Sequence, residues 1–261
     1  MNEKLAVQVL HQVKAILDSQ KVIFWLESGA LLGAVRDGKF IAWDDDIDLG
    51  TLAENGFEMR MKALAQEFSK KGFETYYSTD HNIMAISKNG IPIQLNFWRL
   101  SDGEAAVPLQ YIENLLGAFL FNVVWVLLFS HCGDVNSETL NSTYKKIKFV
   151  LVRTTDLLHY SIKLRISKLF HKVAKKTGNR RGLAVFPSNL FTNLSEIEFY
   201  KMNFKTPAPV EDYLIYYYGE SWRIPTKDWV YVRKDRKIIS KTERVGRDWK
   251  YLEKGQSRKN Y

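Results

Sequence analysis

The run Asp44-Asp45-Asp46-Ile47-Asp48 constrains this chain more than any other stretch. Ile47 and Leu49 alternate with Asp46 and Asp48. Successive side chains of an extended strand point to opposite faces, so the alternation predicts a strand with acids on one face and core residues on the other. On that reading Asp44, Asp46 and Asp48 share a face. Three carboxylates so placed repel one another unless cations neutralise them. Asp sets hard oxygens close to a rigid backbone, which suits Mg²⁺, with Mn²⁺ as the alternative. A pair of such ions stabilises the attacking and leaving oxygens of an in-line displacement at phosphorus. A solvated acidic turn would not be bracketed by Trp43, Ile47 and Leu49, and the glycine and distal glutamate of a calcium-binding EF-hand are absent.

Around this run the pattern alternates helices and strands. Leu5, Val9, Val13 and Ile16 fall on one face of a helix over 3–19, and Val22–Leu26 is a short apolar run ending at Glu27-Ser28-Gly29. A helix is predicted over 30–35, a strand through the acidic run, and a helix over 58–71 stopped by Gly72. Strands follow at 73–77, 83–88 and 91–99, the last two joined by the hairpin signal Asn89-Gly90. In the last strand Ile93, Leu95 and Phe97 face one way, and Gln94, Asn96 and Trp98 the other. Helices are also predicted over 193–203 and over 210–218, the latter stopped by Gly219. The expected class is α+β, an α/β mixed sheet.

The stretch Ser28-Gly29-Ala30-Leu31-Leu32-Gly33 opens a helix with small residues, which lets backbone N–H groups approach a phosphate. Arg36 lies one turn beyond Gly33 and could reach the same anion with its planar fork. A structural turn with close helix packing explains the glycines equally well.

The formal charge of +9 over 261 residues is unevenly spread. Residues 140–181 hold 12 Lys/Arg against one acid, Asp156, and residues 233–259 hold 11 against four, which leaves the rest of the chain at −9. Basic segments on an acidic body seek phosphates on lipid or nucleic acid. Leu115–Phe129 is almost wholly apolar, yet 15 helical residues span only roughly 22 Å, short of a bilayer core. A buried helix, a re-entrant segment and an interfacial helix all remain open. Leu158, Ile162, Ile166, Leu169 and Val173 then form a helical stripe, with Lys163, Lys168, Lys172 and Lys175 off it. That pattern fits a helix lying in a membrane surface as well as one packed on a core. No nucleic-acid recognition motif is present, so specific nucleic-acid binding is not expected. The single Cys132 and the absence of a signal-like N-terminus fit a reducing, cytoplasmic setting. None of the five histidines has ligand spacing to another.

The segment from Glu27 to Arg36, followed by Phe40-Ile41-Ala42-Trp43-Asp44-Asp45-Asp46-Ile47-Asp48-Leu49, closely resembles the signature of the LicD family, which includes the fukutin-type proteins. Pro209, Tyr213-Leu214, Tyr218-Gly219, Trp222 and Pro225 resemble that family's C-terminal segment. The resemblance implies a nucleotidyltransferase-like core over residues 1–261, with a helical, basic and apolar insertion at about 113–181 and a basic tail at about 233–261. It implies a metal-dependent phosphotransferase that moves a phospho-alcohol (phosphocholine-, ribitol-phosphate- or glycerol-phosphate-like) from a CDP-activated donor to a glycan hydroxyl. The acceptor glycan, which a lipid could carry, and an anionic membrane surface are the expected partners. The expected location is peripheral, on the inner face of the membrane.

On this reading Ser28, Gly29 and Gly33 sit by the donor phosphates and Arg36 clamps them. Asp46 and Asp48 bind the ions, and Asp44 is a further ligand or the base. Two departures stand out. Ala42 replaces a proline, and the family's third acidic position falls on the strand reading Gln94-Leu95-Asn96. Gln94 is the preferred match and Asn96 the alternative. An amide oxygen can ligate Mg²⁺ but cannot serve as a base near neutral pH. The rival readings are a nucleotidyltransferase that releases pyrophosphate, and an inactive membrane-bound glycan-binding protein. Trp43, Trp98, Trp222 and Tyr218 could form a cage for a quaternary ammonium, or be core residues.

Overall fold

A computed structural model describes residues 1–79, 82–101, 103–111, 180–227 and 248–252, together with residues 162, 165, 166, 169 and 173 singly. The chain opens with α1 (Glu3–Ser19), started by Asn2, whose side-chain oxygen accepts the Leu5 N–H at 3.1 Å. Its buried stripe of Ala6, Val9, Leu10, Val13, Ile16 and Leu17 contains the predicted Val9, Val13 and Ile16, while the predicted Leu5 is half-buried at its edge. Then come β1 (Phe24–Leu26), α2 (Ser28–Arg36), β2 (Ile47–Leu52) and α3 (Phe57–Lys70). Strands β3 (Glu74–Ser78), β4 (Ile83–Lys88), β5 (Ile91–Ser101), β6 (Glu104–Tyr111) and β7 (Arg180–Pro187) follow. The order continues with α4 (Asn189–Thr192), β8 (Ser195–Phe199), β9 (Met202–Thr206), α5 (Val210–Tyr218) and β10 (Asp248–Leu252).

The strands form one mixed sheet in the order β10-β7-β6-β5-β2-β1-β9-β8, with β4 also on β5 and β3 on β4. Strand β5 is its spine. Residues 93–98 run parallel to β2, residues 91–96 antiparallel to β4, and residues 99–101 antiparallel to β6. Strand β1 is antiparallel to β2 and parallel to β9. The class is therefore α+β, as the pattern predicted.

The period of two sorts the central strands into two faces. Phe24, Leu26, Ile47, Leu49 and Phe97 meet α1 and α3: the Lys14 ammonium lies 5.7 Å from the Phe24 ring, and Phe57 lies 6.1 Å from Phe97. Trp25, Asp48, Gly50, Gln94, Asn96 and Trp98 take the other face. There Phe191 packs on Trp25 at 5.4 Å and on Trp98 at 4.8 Å. Phe186 links Trp98 to Tyr213 and Tyr217 of α5, at 5.2, 5.5 and 5.8 Å. Burial of each such ring contributes about 1.5–3 kcal/mol, so this aromatic layer fixes α5 over the acidic half of the sheet.

Residues 193–203 are not a helix. They form the β8–β9 hairpin, turned by Tyr200 and Lys201 at φ 50° and 62°. Ile197, Phe199, Met202 and Phe204 alternate with Glu196, Glu198, Asn203 and Lys205, a strand pattern too short to separate from a helical one locally. Strands β6 and β7, which the sequence pattern did not yield, pair from Glu104↔Pro187 to Tyr111↔Arg180. The segment between them thus leaves and re-enters the sheet at neighbouring points. The apolar run 115–129 and most of 113–181 lie outside the described residues, and residues 180–181 belong to β7. Of the basic tail, residues 248–252 are described, as β10 on β7. Among the described residues no helix is long and apolar enough to cross a membrane.

Candidate active site

Register builds the floor of the site. Leu26 pairs with Leu49, and the next N–H along, that of Glu27, donates to the Asp48 carbonyl at 3.0 Å. Asp48 pairs with Gln94 across the parallel β2–β5 ladder. Glu27, Asp48 and Gln94 therefore form one row across three strands. The next row is Trp25, Gly50 and Asn96.

The acidic run departs from the predicted strand. Strand β2 starts at Ile47, so Asp44, Asp45 and Asp46 lie in the turn entering it, where the Asp44 N–H donates to the Ile41 carbonyl. A turn does not alternate its side chains, and Asp45 joins its neighbours. One carboxylate oxygen from each of Asp44, Asp45 and Asp46 lies within 4.8 Å of the others. Gln94 Nε2 donates to Asp46 Oδ2 at 2.8 Å, so Gln94 reaches the acids directly, whereas Asn96 hydrogen-bonds Glu27 one row below.

Crowding and burial act on every acid here. Burial, then Asp46 and Asp45, push Asp44 up to about 8. Burial, then Asp45, raise Asp46 to about 6, with the Gln94 hydrogen bond opposing. Asp48 is held well above the usual carboxylate range by burial, Asp46, Glu27 and Asp44, with a Ser28 hydrogen bond opposing. Glu27 is raised to about 7 by burial, against hydrogen bonds from Trp98 and Asn96. Carboxylates this close cannot all ionise without a positive charge among them. Hard oxygens in such a cluster fit a hard divalent cation, and Asp44, Asp45 and Asp46 are the residues brought together to hold one, with Asp48 following them on β2.

Helix α2 closes one side. Ser28 adopts φ 48°, a left-handed conformation costly for a residue with a Cβ. A Cβ on Gly29 would stand 2.0 Å from Asp44 Oδ2, so the Asp44 carboxylate rests against the start of α2. The first intrahelical bond is Leu31 N–H to the Glu27 carbonyl, which leaves the N–H groups of Ser28, Gly29 and Ala30 ahead of it. Gly33 has a packing reason: a Cβ there would meet the Lys39 carbonyl oxygen at 2.6 Å. Arg36 donates from Nε and Nη2 to Asp37 at 2.8 and 2.7 Å.

Helix α5 closes another side. The Ser28 and Tyr217 hydroxyl oxygens lie 2.9 Å apart, and Ser28 also bonds the Asp48 carboxylate. The Ser28 hydroxyl thus sits between Tyr217 and Asp48, and either hydroxyl can be the donor in the Ser28–Tyr217 bond. Tyr218 is pushed well above its ordinary value by burial and by Asp44, Asp48 and Glu27, against a pull from Arg36. The aromatic cage does not form. Trp98 and Trp222 are core residues at 1% and 5% exposure, while Trp43 is 44% exposed. Sequence reasoning missed Glu27, Asp45 and Tyr217. An acid closing the apolar run 22–26 was the legible hint for Glu27; Tyr217 has no local signal.

Residues 21–103 match the model of the LicD/FKTN/FKRP nucleotidyltransferase domain. An uncharacterized protein of Rickettsia prowazekii, RP689, is 33% identical over 76 residues, which is 29% of this chain and 28% of that protein. The human ribitol 5-phosphate transferase FKRP is 49% identical over 43 residues, covering 16% of this chain and 9% of FKRP. The chain thus spans less than a third of the curated relatives it matches. A solution structure of the antibiotic-resistance factor ANT(2'')-Ia aligns with 66% of this chain and 99% of its own, at 13% identity and a TM-score of 0.34. The acidic run, the row through Gln94 and the turn into α2 all fall inside the matched span. Residues 21–103 are thus similar to the nucleotidyltransferase domain of the LicD/FKTN/FKRP family.

Proposed function

We propose that the protein is a metal-dependent phosphotransferase that moves a phospho-alcohol from a CDP-activated donor to a glycan hydroxyl. The observation that carries this reading is the convergence of Asp44, Asp45 and Asp46 within 4.8 Å, against the N-terminus of α2. Human FKRP is a ribitol 5-phosphate transferase, which motivates the phospho-alcohol class. A divalent cation held by these carboxylates would offset the charge of the donor phosphates. The amides at Ser28 and Gly29 bind the phosphate oxygens, and Arg36, paired with Asp37 at rest, reaches them by exchanging that partner. The acceptor hydroxyl oxygen forms a new bond to phosphorus as the bond to CMP breaks. Asp44, whose carboxylate rests against the start of α2, takes the hydroxyl proton.

We also place the protein on the inner membrane face. Ile162, Leu169 and Val173 are helical and 44%, 62% and 42% exposed, within a segment of high positive charge. Apolar side chains beside excess Lys/Arg suit an anionic lipid surface.

The deciding experiment incubates the protein with a panel of CDP-alcohols, a glycan acceptor and Mg²⁺. Release of CMP with labelled glycan is expected. Release of pyrophosphate from a nucleoside triphosphate instead would make it a nucleotidyltransferase. Neither product, or full turnover in Asp46→Asn or in excess chelator, would sink the reading.

A further inference from the structure

The strand β5 carries amides, Gln94 and Asn96, where a further acid was expected. Each of those amides faces a carboxylate: Gln94 donates to Asp46, and Asn96 bonds Glu27. Glu27 is 2% exposed, and among the described residues it is the one acid in the buried class. Its two oxygens accept the Trp98 indole N–H at 3.1 Å each. Its backbone N–H is bonded to the Asp48 carbonyl. Room for the carboxylate comes from Gly50: a Cβ there would stand 2.6 Å from Glu27 Oε2 and 2.2 Å from Trp25 Nε1. A missing side chain on β2, an indole donor and an amide on β5, and a row partnership with Asp48 thus all serve one buried acid. A buried carboxylate in apolar surroundings costs stability, and a fold that needed only packing there would be better served by an apolar side chain.

We propose that Glu27 supplies a further carboxylate charge to the site, at the junction of β1 and α2 rather than on β5, and that it acts as a positioning residue behind Asp48. It does not touch the reacting atoms. It fixes the Asp48 backbone through its own N–H and adds negative charge beneath the cation-holding acids. The β5 amides are then the complement of this placement. An acid at 94 or 96 would face an existing carboxylate, whereas an amide donates to it. Outer-shell partners of this kind alter metal affinity about ten- to a hundred-fold when removed.

The inference rests on the metal-dependent reading, and a Mn²⁺ titration by calorimetry separates the two. Glu27→Gln keeps the side chain's shape and an acceptor for Trp98, but removes the charge. It should weaken Mn²⁺ binding about ten-fold or more, without lowering the melting temperature in chelator. The double variant Glu27→Gln/Asn96→Asp swaps acid and amide across the same hydrogen bond and should recover most of the affinity. Unchanged Mn²⁺ affinity in Glu27→Gln overturns the proposal while the wild-type titration still upholds the metal site. A weak single variant that the double variant does not rescue also overturns it, since shape and not charge would then matter. If Glu27→Gln fails to fold, the double variant decides: near-wild-type affinity supports the proposal and lost affinity refutes it. A wild-type protein that binds no Mn²⁺ removes both readings.

Discussion

Ser28 and Tyr217, 189 positions apart in the chain, share a buried hydrogen bond of 2.9 Å between their hydroxyl oxygens. The bond ties the left-handed start of α2 to α5 and, through the Ser28 hydroxyl, to Asp48. It is the point where the helix beyond the matched domain meets the acidic site.

Removing either end should therefore have different consequences. Tyr217→Phe deletes the outer hydroxyl but leaves Ser28 bonded to Asp48, and should cost about 1 kcal/mol of stability with a modest drop in turnover. Ser28→Ala takes the Ser28 hydroxyl away from Tyr217 and from the Asp48 carboxylate together. It should cost about 1–3 kcal/mol and lower turnover more strongly. Chemical denaturation alongside steady-state assays checks the order; equal effects on turnover would argue against the chain from Tyr217 through Ser28 to Asp48.

The two glycines of α2 make a paired comparison. Alanine ordinarily stabilises a helix interior relative to glycine by roughly 0.5–1 kcal/mol. Gly29→Ala would push its methyl into Asp44 Oδ2, so the protein should fold with near-normal stability but lose Mn²⁺ affinity and activity. Gly33→Ala would meet the Lys39 backbone carbonyl, which cannot swing aside, so it should lower the melting temperature. Melting curves and Mn²⁺ titrations on both variants read the distinction directly.

Stability without metal should fall as pH rises. Asp44, Asp46 and Glu27 are raised in the fold to about 8, 6 and 7, above their ordinary values of 3.8, 3.8 and 4.5. Between those limits the folded protein binds more protons than the unfolded chain, so each group's contribution is fully present below its unfolded value and is lost as pH passes its folded value. Melting temperature in chelator should decrease from pH 5 to pH 8. Asp46→Asn should flatten that slope, and excess Mg²⁺ should largely abolish it. A chelated protein whose melting temperature rises across this range would contradict the crowding of the acids.

Docking on lipid is tested by flotation with anionic vesicles. The wild-type protein should float at low salt, and high salt should leave a residual apolar component. Reversing Lys168, Lys172, Lys175 and Lys176 to Glu should release it, with little effect on transfer to a soluble acceptor. Wild-type protein that stays with the soluble fraction at low salt would make residues 113–181 an ordinary packed insertion.

Local chemistry made much of this protein readable from its sequence. The stripe of α1, the Asn89-Gly90 turn, the stop at Gly219 and the alternation from Ile47 onward each depend on neighbours a few residues away. The acids and the glycines of α2 were visible for the same reason. The β8–β9 hairpin was not, because five-residue strands carry too short a pattern to exclude a helix. Only the tertiary structure decided that Asp45 joins Asp44 and Asp46, that Gly33 packs on the backbone at Lys39, and that Trp98 is a buried donor. It alone aligned Glu27, Asp48 and Gln94 in one row and brought Tyr217 to Ser28. Those relationships depend on the register between strands distant in the chain and on an aromatic layer from four separate segments. Periodicity fixes which face a residue takes within its own strand, but not which residue of another strand it meets.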